Sequence, residues 1–449
     1  MKKTLLTAAL VAGFASVAHA ESSVTLYGVV DGGVGYSQTK TTLDGDFYAL
    51  NGAYVGSFSG TAKTSKAGVT SGNQSGNRWG LKGVEDLGNG TSAIFQLESG
   101  FSIGDGQSAQ GGRLFGRKAI LGLTSESWGT LTAGRQYNVG DDFLASIDPF
   151  GTGFGQAGAT NVLGTSWSGR YDASIKYMTP NFSGFQAAIM WSGANSKDDL
   201  DYTVTNAAGA AVDWDDLSVK TRNNLISLGL AYNNGPIQAG LVWDHQKAKT
   251  TVNGNSVSNT VNAWNLGFAY DFDVVKLHLG VGQQKDGLIR DSDGGTGGYN
   301  DFFEDYDILS YGNAFGKGYR QTHWLVGLSA PVGENGKVLF SYAGAHGKNL
   351  DAGANGFGWE GRRFSGDFDF AGEGKLRSNV FSLGYTHNLS KRTNIYAVAS
   401  YGTYKTTADG SVIGNISSRR GTLSRPVGSA DATYKAKATQ INIGLRHRF

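Results

Sequence analysis

The chain has 449 residues, with 39 lysines and arginines, 37 aspartates and glutamates, and no cysteine. The lack of cysteine excludes thiolate metal sites, thiol catalysis and disulfide scaffolds together. With 69 glycines, 20 tyrosines, 23 phenylalanines and only 5 prolines, the composition is too aromatic for a disordered chain, and beyond the N-terminus no apolar run of roughly 18 residues could make a helical membrane span.

Residues 1–20, MKKTLLTAALVAGFASVAHA, combine Lys2 and Lys3, an apolar run from Leu5 to Val17, and small residues at Ala18 and Ala20. That is the build of a secretory signal peptide, so the mature chain is expected to begin at Glu21 and residues 21–449 to form one domain. The two lysines leave with the leader, after which basic and acidic residues are equal in number. No global charge remains to draw nucleic acid, and charge selectivity has to come from placement.

Taken in order, VTLYGVVDGGVGY from Val24 to Tyr36 sets Val24, Leu26, Val30 and Val34 on one side and Thr25, Tyr27, Val29 and Asp31 on the other, a strand with one wet face. The polar, glycine-rich stretch Ser37 to Ser75 reads as a loop. Asn77 to Glu85 then alternates, with Arg78, Gly80 and Lys82 opposite Trp79, Leu81 and Gly83. The turn DLGNG leads into Thr91 to Phe101, where Ile94, Gln96 and Glu98 face inward. Further strands are expected over Leu114 to Leu123 and Thr130 to Arg135. Arg170 to Tyr177 is the cleanest alternation, Arg170, Asp172, Ser174 and Lys176 against Tyr171, Ala173, Ile175 and Tyr177. Apolar outside and charged inside reverses a soluble barrel, so water has to line the interior.

The pattern repeats near Gly184 to Ser192, Asn224 to Tyr232, Ile237 to His245, Ala263 to Asp271, Val274 to Gly282, Thr322 to Ala330, Lys337 to Ala345, Asn379 to His387, Asn394 to Tyr404 and Ala438 to Phe449. The fold class is therefore all-β, a transmembrane antiparallel β-barrel of about sixteen strands. Short turns alternate with long polar connections, which assigns the short side to the periplasm and Gln283 to Arg320, His346 to Leu376 and Lys405 to Tyr434 to the exterior. No proline interrupts a strand.

The connection from Gly134 to Ser168, GRQYNVGDDFLASIDPFGTGFGQAGATNVLGTSWS, reads as a loop folded back into the lumen. Its acids Asp141, Asp142 and Asp148 would face a basic cluster of Arg78, Arg117 and Arg170, with Lys82 on the same face as Arg78. A ring of like charge needs water or carboxylates to screen it, and a transverse field at the waist would set ion preference. Alternation allows only one of Arg117 and Lys118 to point inward. Glu98, Asp172, Lys176 and Asp31 are further lumen residues. His278 and His323 fall on inward faces without a second ligand at metal spacing, so no metal or cofactor is expected. NDFFEDYD, Asn300 to Asp307, carries oxygen ligands without the glycine-turn pattern of a calcium loop and reads as a solvated acidic loop. Neither G-x-S-x-G nor H-E-x-x-H occurs, and the chain is not expected to be an enzyme.

With these residues in place, the chain resembles the trimeric general porins of Gram-negative bacteria, of the β-proteobacterial type. The resemblance is carried by SSVTLYGVVDGGV, NRWGLKGVEDLGNGTSAIFQLESGF, LFGRKAILGL, GTLTAGRQYN, RYDASIKYMTPNFSGF and INIGLRHRF. It implies sixteen strands, a third external loop in the lumen and a homotrimer, and it supports Arg117 as a member of the basic cluster. DPFG at Asp148 departs from the family's frequent Pro-Glu-Phe, which leaves the opposing acid open among Asp141, Asp142 and Asp148. Phe449 resembles the signal read by the outer-membrane assembly machinery. The expected partners are the lipid bilayer, lipopolysaccharide, that machinery, and small hydrophilic solutes and ions.

The expected function is a passive outer-membrane diffusion channel with a weak anion preference, because strand-borne bases cannot move away while loop acids pair with them in part. Alternatives are a channel selective for small carboxylates, held by the arginines and Phe143, Phe150 and Phe154, and a surface adhesin or receptor acting through the long loops.

Overall fold

The computed structural model describes residues 23–49, 51–205, 211–252, 255–293, 317–351, 357–361, 364–418 and 421–449. The leader at 1–20 and the acidic segment Asn300 to Asp307 lie outside them. The strands are β1 (Ser23–Tyr48), β2 (Tyr54–Ser71), β3 (Arg78–Asp86), β4 (Thr91–Gly100), β5 (Lys118–Ser125), β6 (Gly129–Tyr137), β7 (Arg170–Met178), β8 (Phe185–Thr205) and β9 (Ala211–Asn234). They continue with β10 (Ile237–Val252), β11 (Asn255–Asp271), β12 (Lys276–Lys285), β13 (Arg320–Val332), β14 (Gly336–Asp351), β15 (Phe357–Gly361), β16 (Phe364–Asn388), β17 (Thr393–Ser418) and β18 (Gly421–Arg448).

Every pairing among them is antiparallel, and β1 closes the ring on β18 from Val29↔Arg448 to Tyr48↔Ser429. Two of these strands are additions to the wall. β2 lies on the outer half of β1, with β3 on the inner half of the same edge, and β15 lies on the far end of β16. The remaining strands make a closed barrel of sixteen. Both ends of the described chain lie with the short turns, as an even strand number requires.

The stretch Ser37 to Ser75, expected to be a loop, is a correction: most of it is the hairpin of β1 and β2, paired from Gly32↔Ser71 to Tyr48↔Tyr54. Threonine-rich segments outside the membrane satisfy their backbones by pairing and need no apolar face to do so. The same happens at Lys405 to Tyr434, where β17 and β18 stay paired out to Ser418↔Gly421. Between β2 and β3 the chain breaks step, and Asp31 pins the break. Its carboxylate accepts from the Ser75 amide (2.6 Å) and the Tyr396 hydroxyl (2.7 Å), and its carbonyl from Gly72 N (2.8 Å).

The wall faces apolar surroundings outward. Ile189, Leu228, Leu230, Leu241, Leu266, Val326 and Leu328 are all exposed there, below Trp191, Trp243, Trp264 and Tyr401 and above Phe182, Phe185 and Phe272 near the short turns. Aromatic rings at two levels with aliphatic residues between them are the lipid-facing band of an outer-membrane barrel.

Inside, the lumen is not wet throughout. The largest buried apolar cluster is the inward loop packed on the inner wall: Val139, Phe143, Leu144, Ile147, Leu163 and Trp167 against residues such as Met190, Leu225, Val242 and Leu325. Burial of each such side chain contributes about 1.5–3 kcal/mol. The approach is close enough to demand glycine in the wall. A Cβ at Gly240 would stand 2.8 Å from the Phe143 carbonyl oxygen, and one at Gly267 2.7 Å from Ile147 Cδ1. One side of the lumen is thus apolar and filled, and the charged residues collect on the other.

Candidate functional site

The inward loop leaves β6 at Asn138, whose side chain clamps its two ends. Asn138 Oδ1 accepts from Asp141 N (3.2 Å) and Gly169 N (3.1 Å), while Nδ2 donates to the carbonyls of Thr165 (3.2 Å) and Ser166 (3.0 Å). A short helix, Val139–Leu144, and a 3-10 turn, Ala145–Ile147, lay the first limb against β9, β10 and β11. His278 holds that turn, with one ring nitrogen 2.8 Å from the Ile147 carbonyl and the other 3.0 Å from Ser329 Oγ. The second limb is fixed by a buried polar chain in which Ser166 bonds Asp244, Asn265 donates to Ser166 Oγ (2.7 Å), and His323 Nε2 sits 2.7 Å from Asn265 Oδ1. Both histidines are wall residues, and among the described residues no group of three ligand-type side chains could hold a metal ion.

Between the loop and the charged wall lies a cavity of about 450 Å³, lined by Arg78, Arg117, Arg170, Tyr137, Asp141 and Asp291 among others. Arg117 Nε donates to Glu98 Oε1 (2.8 Å) and its Nη2 to the Tyr137 hydroxyl (3.0 Å). The Arg170 guanidinium carbon lies 5.4 Å from the centre of the Tyr137 ring, and its Nε is 3.4 Å from Asp293 Oδ2. Arg78 stands beside Arg117 and forms no salt bridge among the described residues. Three guanidinium groups on different parts of the wall therefore converge on one cavity.

Arg117 and Lys118 both face this side, against the expectation that only one could. Arg117 N donates to the Glu98 carbonyl and Lys118 is the register partner of Glu98, so two residues oppose one. Such a bulge suspends the alternation. A second break corrects β7. Its register against β6 slips between Gly134 and Gln136, Ala173 takes φ +46°, and Tyr171, expected outside, is buried in the loop's apolar cluster.

The three loop acids have different placements. Asp141 lines the cavity and accepts from Ser168 Oγ, and burial raises its carboxyl above the usual range. Asp142 accepts from Lys176 Nζ (2.6 Å). Asp148, expected to face the arginines, turns away from them and accepts from the amides of Phe150 (2.9 Å), Thr152 (2.9 Å) and Ala159 (2.8 Å). Those bonds favour the ionised form, yet burial outweighs them and pushes the carboxyl up to about 6. A Pro-Phe-Gly turn has backbone donors pointing into its own centre, and an aspartate there serves the turn.

Lys82 is exposed, 5.8 Å over the Tyr27 ring and four residues along β3 from Arg78 toward the short turn. It stands roughly 13 Å from Arg78 along the strand and outside the cluster. Asp172 sits at the outer side, bonded to Arg113 Nη1 (2.9 Å) and Arg135 Nη1 (2.5 Å). Phe143, Phe150 and Phe154 are buried, the last two edge-on to each other and Phe154 edge-on to Tyr396. They offer no face to a solute, which removes the aromatic part of the carboxylate-selective alternative. Sequence reasoning missed Tyr137, Arg135, Asp291 and Asp293. The signal for the last two was the apolar pair Leu288–Ile289 just after β12, at the start of a connection read as external.

A family model described as Gram-negative porin matches residues 6–408. An outer membrane porin protein of Bordetella pertussis is 39% identical over the full length of both chains, and outer membrane porin protein 32 of Delftia acidovorans is 28% identical, again over the full length of both. Among solved structures, the anion-selective porin from Comamonas acidovorans superposes with a TM-score of 0.56 at 25% identity, covering 96% of this chain and 100% of that one. A closed sixteen-strand barrel with a lipid-facing band and a loop-narrowed, charged lumen, matched along its length by such relatives, belongs to the Gram-negative porin family and is a passive diffusion channel of the bacterial outer membrane.

Proposed function

We propose that the channel passes small hydrophilic solutes and ions with a weak preference for anions, set by Arg78, Arg117 and Arg170. The observation that carries this reading is the convergence of the three guanidinium groups on one cavity, one of them, Arg78, without a carboxylate partner among the described residues. Arg117 and Arg170 are offset by Glu98 and Asp293, so the surplus is small. Fixed charge around a constriction biases which ions enter without stopping either sign. The anion selectivity named for the Comamonas structure agrees in direction.

The mature chain starts at Glu21 in this reading and assembles as a homotrimer in a bilayer bearing lipopolysaccharide. Phe449, directly after β18, is the residue offered to the assembly machinery in this reading. Two backbone hydrogen bonds of 3.1 Å between Phe449 and Gly28 support its place at the seam, where β1 and β18 meet.

Bilayer conductance of the purified mature protein under a salt gradient tests the proposal. Stepwise conductance with an anion-directed reversal potential is expected, moving toward cations in Arg78→Ala/Arg170→Ala. An unchanged reversal potential in the double variant would remove these arginines as the determinant and leave the channel.

A further inference from the structure

The first residues after β12, up to Asp293, enter the lumen instead of standing over the mouth. Leu288 and Ile289 are 3% and 0% exposed, which no external polar loop would give. The backbone is tied on all sides. Ile289 N donates to Gln284 Oε1 (2.8 Å), and Thr165 Oγ1, at the end of the inward loop, donates to the Ile289 carbonyl (2.6 Å). Gln246 on β10 bonds Arg290 twice, its Nε2 to the carbonyl (2.6 Å) and its Oε1 from the amide (2.9 Å). On the opposite side Ser292 N donates to the Arg170 carbonyl (2.8 Å) and Ser292 Oγ accepts from Asp172 N (2.9 Å). The segment thus crosses from β10 to β7 as a strap, resting on the inward loop between them.

Its two acids land on the basic wall. Asp293 is held by Arg135 Nη2 at 2.6 and 2.8 Å, lies 3.4 Å from Arg170 Nε and 3.8 Å from Arg113 Nη1, and Asp291 lines the cavity with Arg78 and Arg117. Of the inward loop's own acids only Asp141 lines that cavity.

We propose that residues 288–293 are a second constriction element, and that Asp291 and Asp293 are specificity-determining residues which offset part of the arginine charge and keep the anion preference weak. This rests on the reading of the arginines above. Charges matter to a passing ion only within about a Debye length, roughly 8–10 Å at physiological salt; Asp291 lines the cavity and Asp293 sits 3.4 Å from the Nε of Arg170, which lines it too.

Two variants separate charge from obstruction. Asp291→Asn/Asp293→Asn removes two charges with little change in volume, and the anion-to-cation permeability ratio is expected to rise about two-fold or more. Ile289→Asn/Gln246→Ala undocks the strap while leaving its charge, and is expected to raise single-channel conductance and shift the ratio in the same direction. Folding is checked by circular dichroism, and the Arg78→Ala/Arg170→Ala protein is measured in parallel. Should the arginine variant lose anion preference while Asp291→Asn/Asp293→Asn keeps the wild-type ratio, the strap proposal fails and the arginine reading stands. Should neither variant move the ratio, both fail. Wild-type conductance from the undocked variant would overturn the strap as an obstruction.

Discussion

Asp148 shows how a residue legible as charged can serve the chain itself. Its carboxyl is raised to about 6 by burial, above the ordinary 3.8 expected once the loop is undocked. The docked loop therefore binds a proton more readily, and docking strengthens as pH falls from about 6 toward 4 and weakens as pH rises through that window. Amide exchange of Phe150, Thr152 and Ala159, corrected for intrinsic rate, should be slower at pH 5 than at pH 7 in the wild type, and Asp148→Asn should flatten the difference. Faster exchange at pH 5 would reverse the assignment. Arg78, Arg170 and Glu98 were legible because they stand where alternation holds or where a motif is matched. Lys118 and Tyr171 were misjudged in direction because a bulge at Arg117–Lys118 and a register slip between β6 and β7 each interrupt the alternation, and nothing in the local sequence announces either. Asp148 was misjudged because a short acid in a Pro-Phe-Gly turn has its nearest donors in the backbone.

At the scale of elements, all sixteen wall strands were visible as alternating segments, while the hairpins that extend them were not. A hairpin outside the membrane has no apolar face to keep, so it carries no period. The seat of the inward loop was equally hidden, because it is a row of absent side chains. Gly240→Val should test it: the new side chain meets the Phe143 carbonyl at under van der Waals distance and forces the loop off β10. The expected outcome is a barrel with unchanged far-UV spectrum and altered single-channel conductance. Conductance identical to wild type would mean the loop does not rest there in solution.

For the whole molecule, stability depends on the band that meets lipid. Leu230 lies in the aliphatic zone between the Phe185 and Trp243 levels and is 61% exposed on the isolated chain. Leu230→Arg should lower unfolding free energy in bilayers by about 2–4 kcal/mol, measured by denaturant titration in lipid vesicles, since arginine near the bilayer midplane carries that cost. An equal loss from the same change at an exposed position on the outer hairpins would contradict the placement of the band.

The seam between β1 and β18 has a consequence in time. Val29 pairs with Arg448, at nearly the full length of the chain from it, while the other edge of β1 is taken up locally by β2 and β3. Pairing over so great a sequence separation is slow, and until it occurs the nascent sheet presents two open edges able to recruit any other strand. The β1–β18 hydrogen-bond ladder is therefore the step on which productive folding competes with aggregation, and the chain is committed to one outcome only when β18 arrives beside β1.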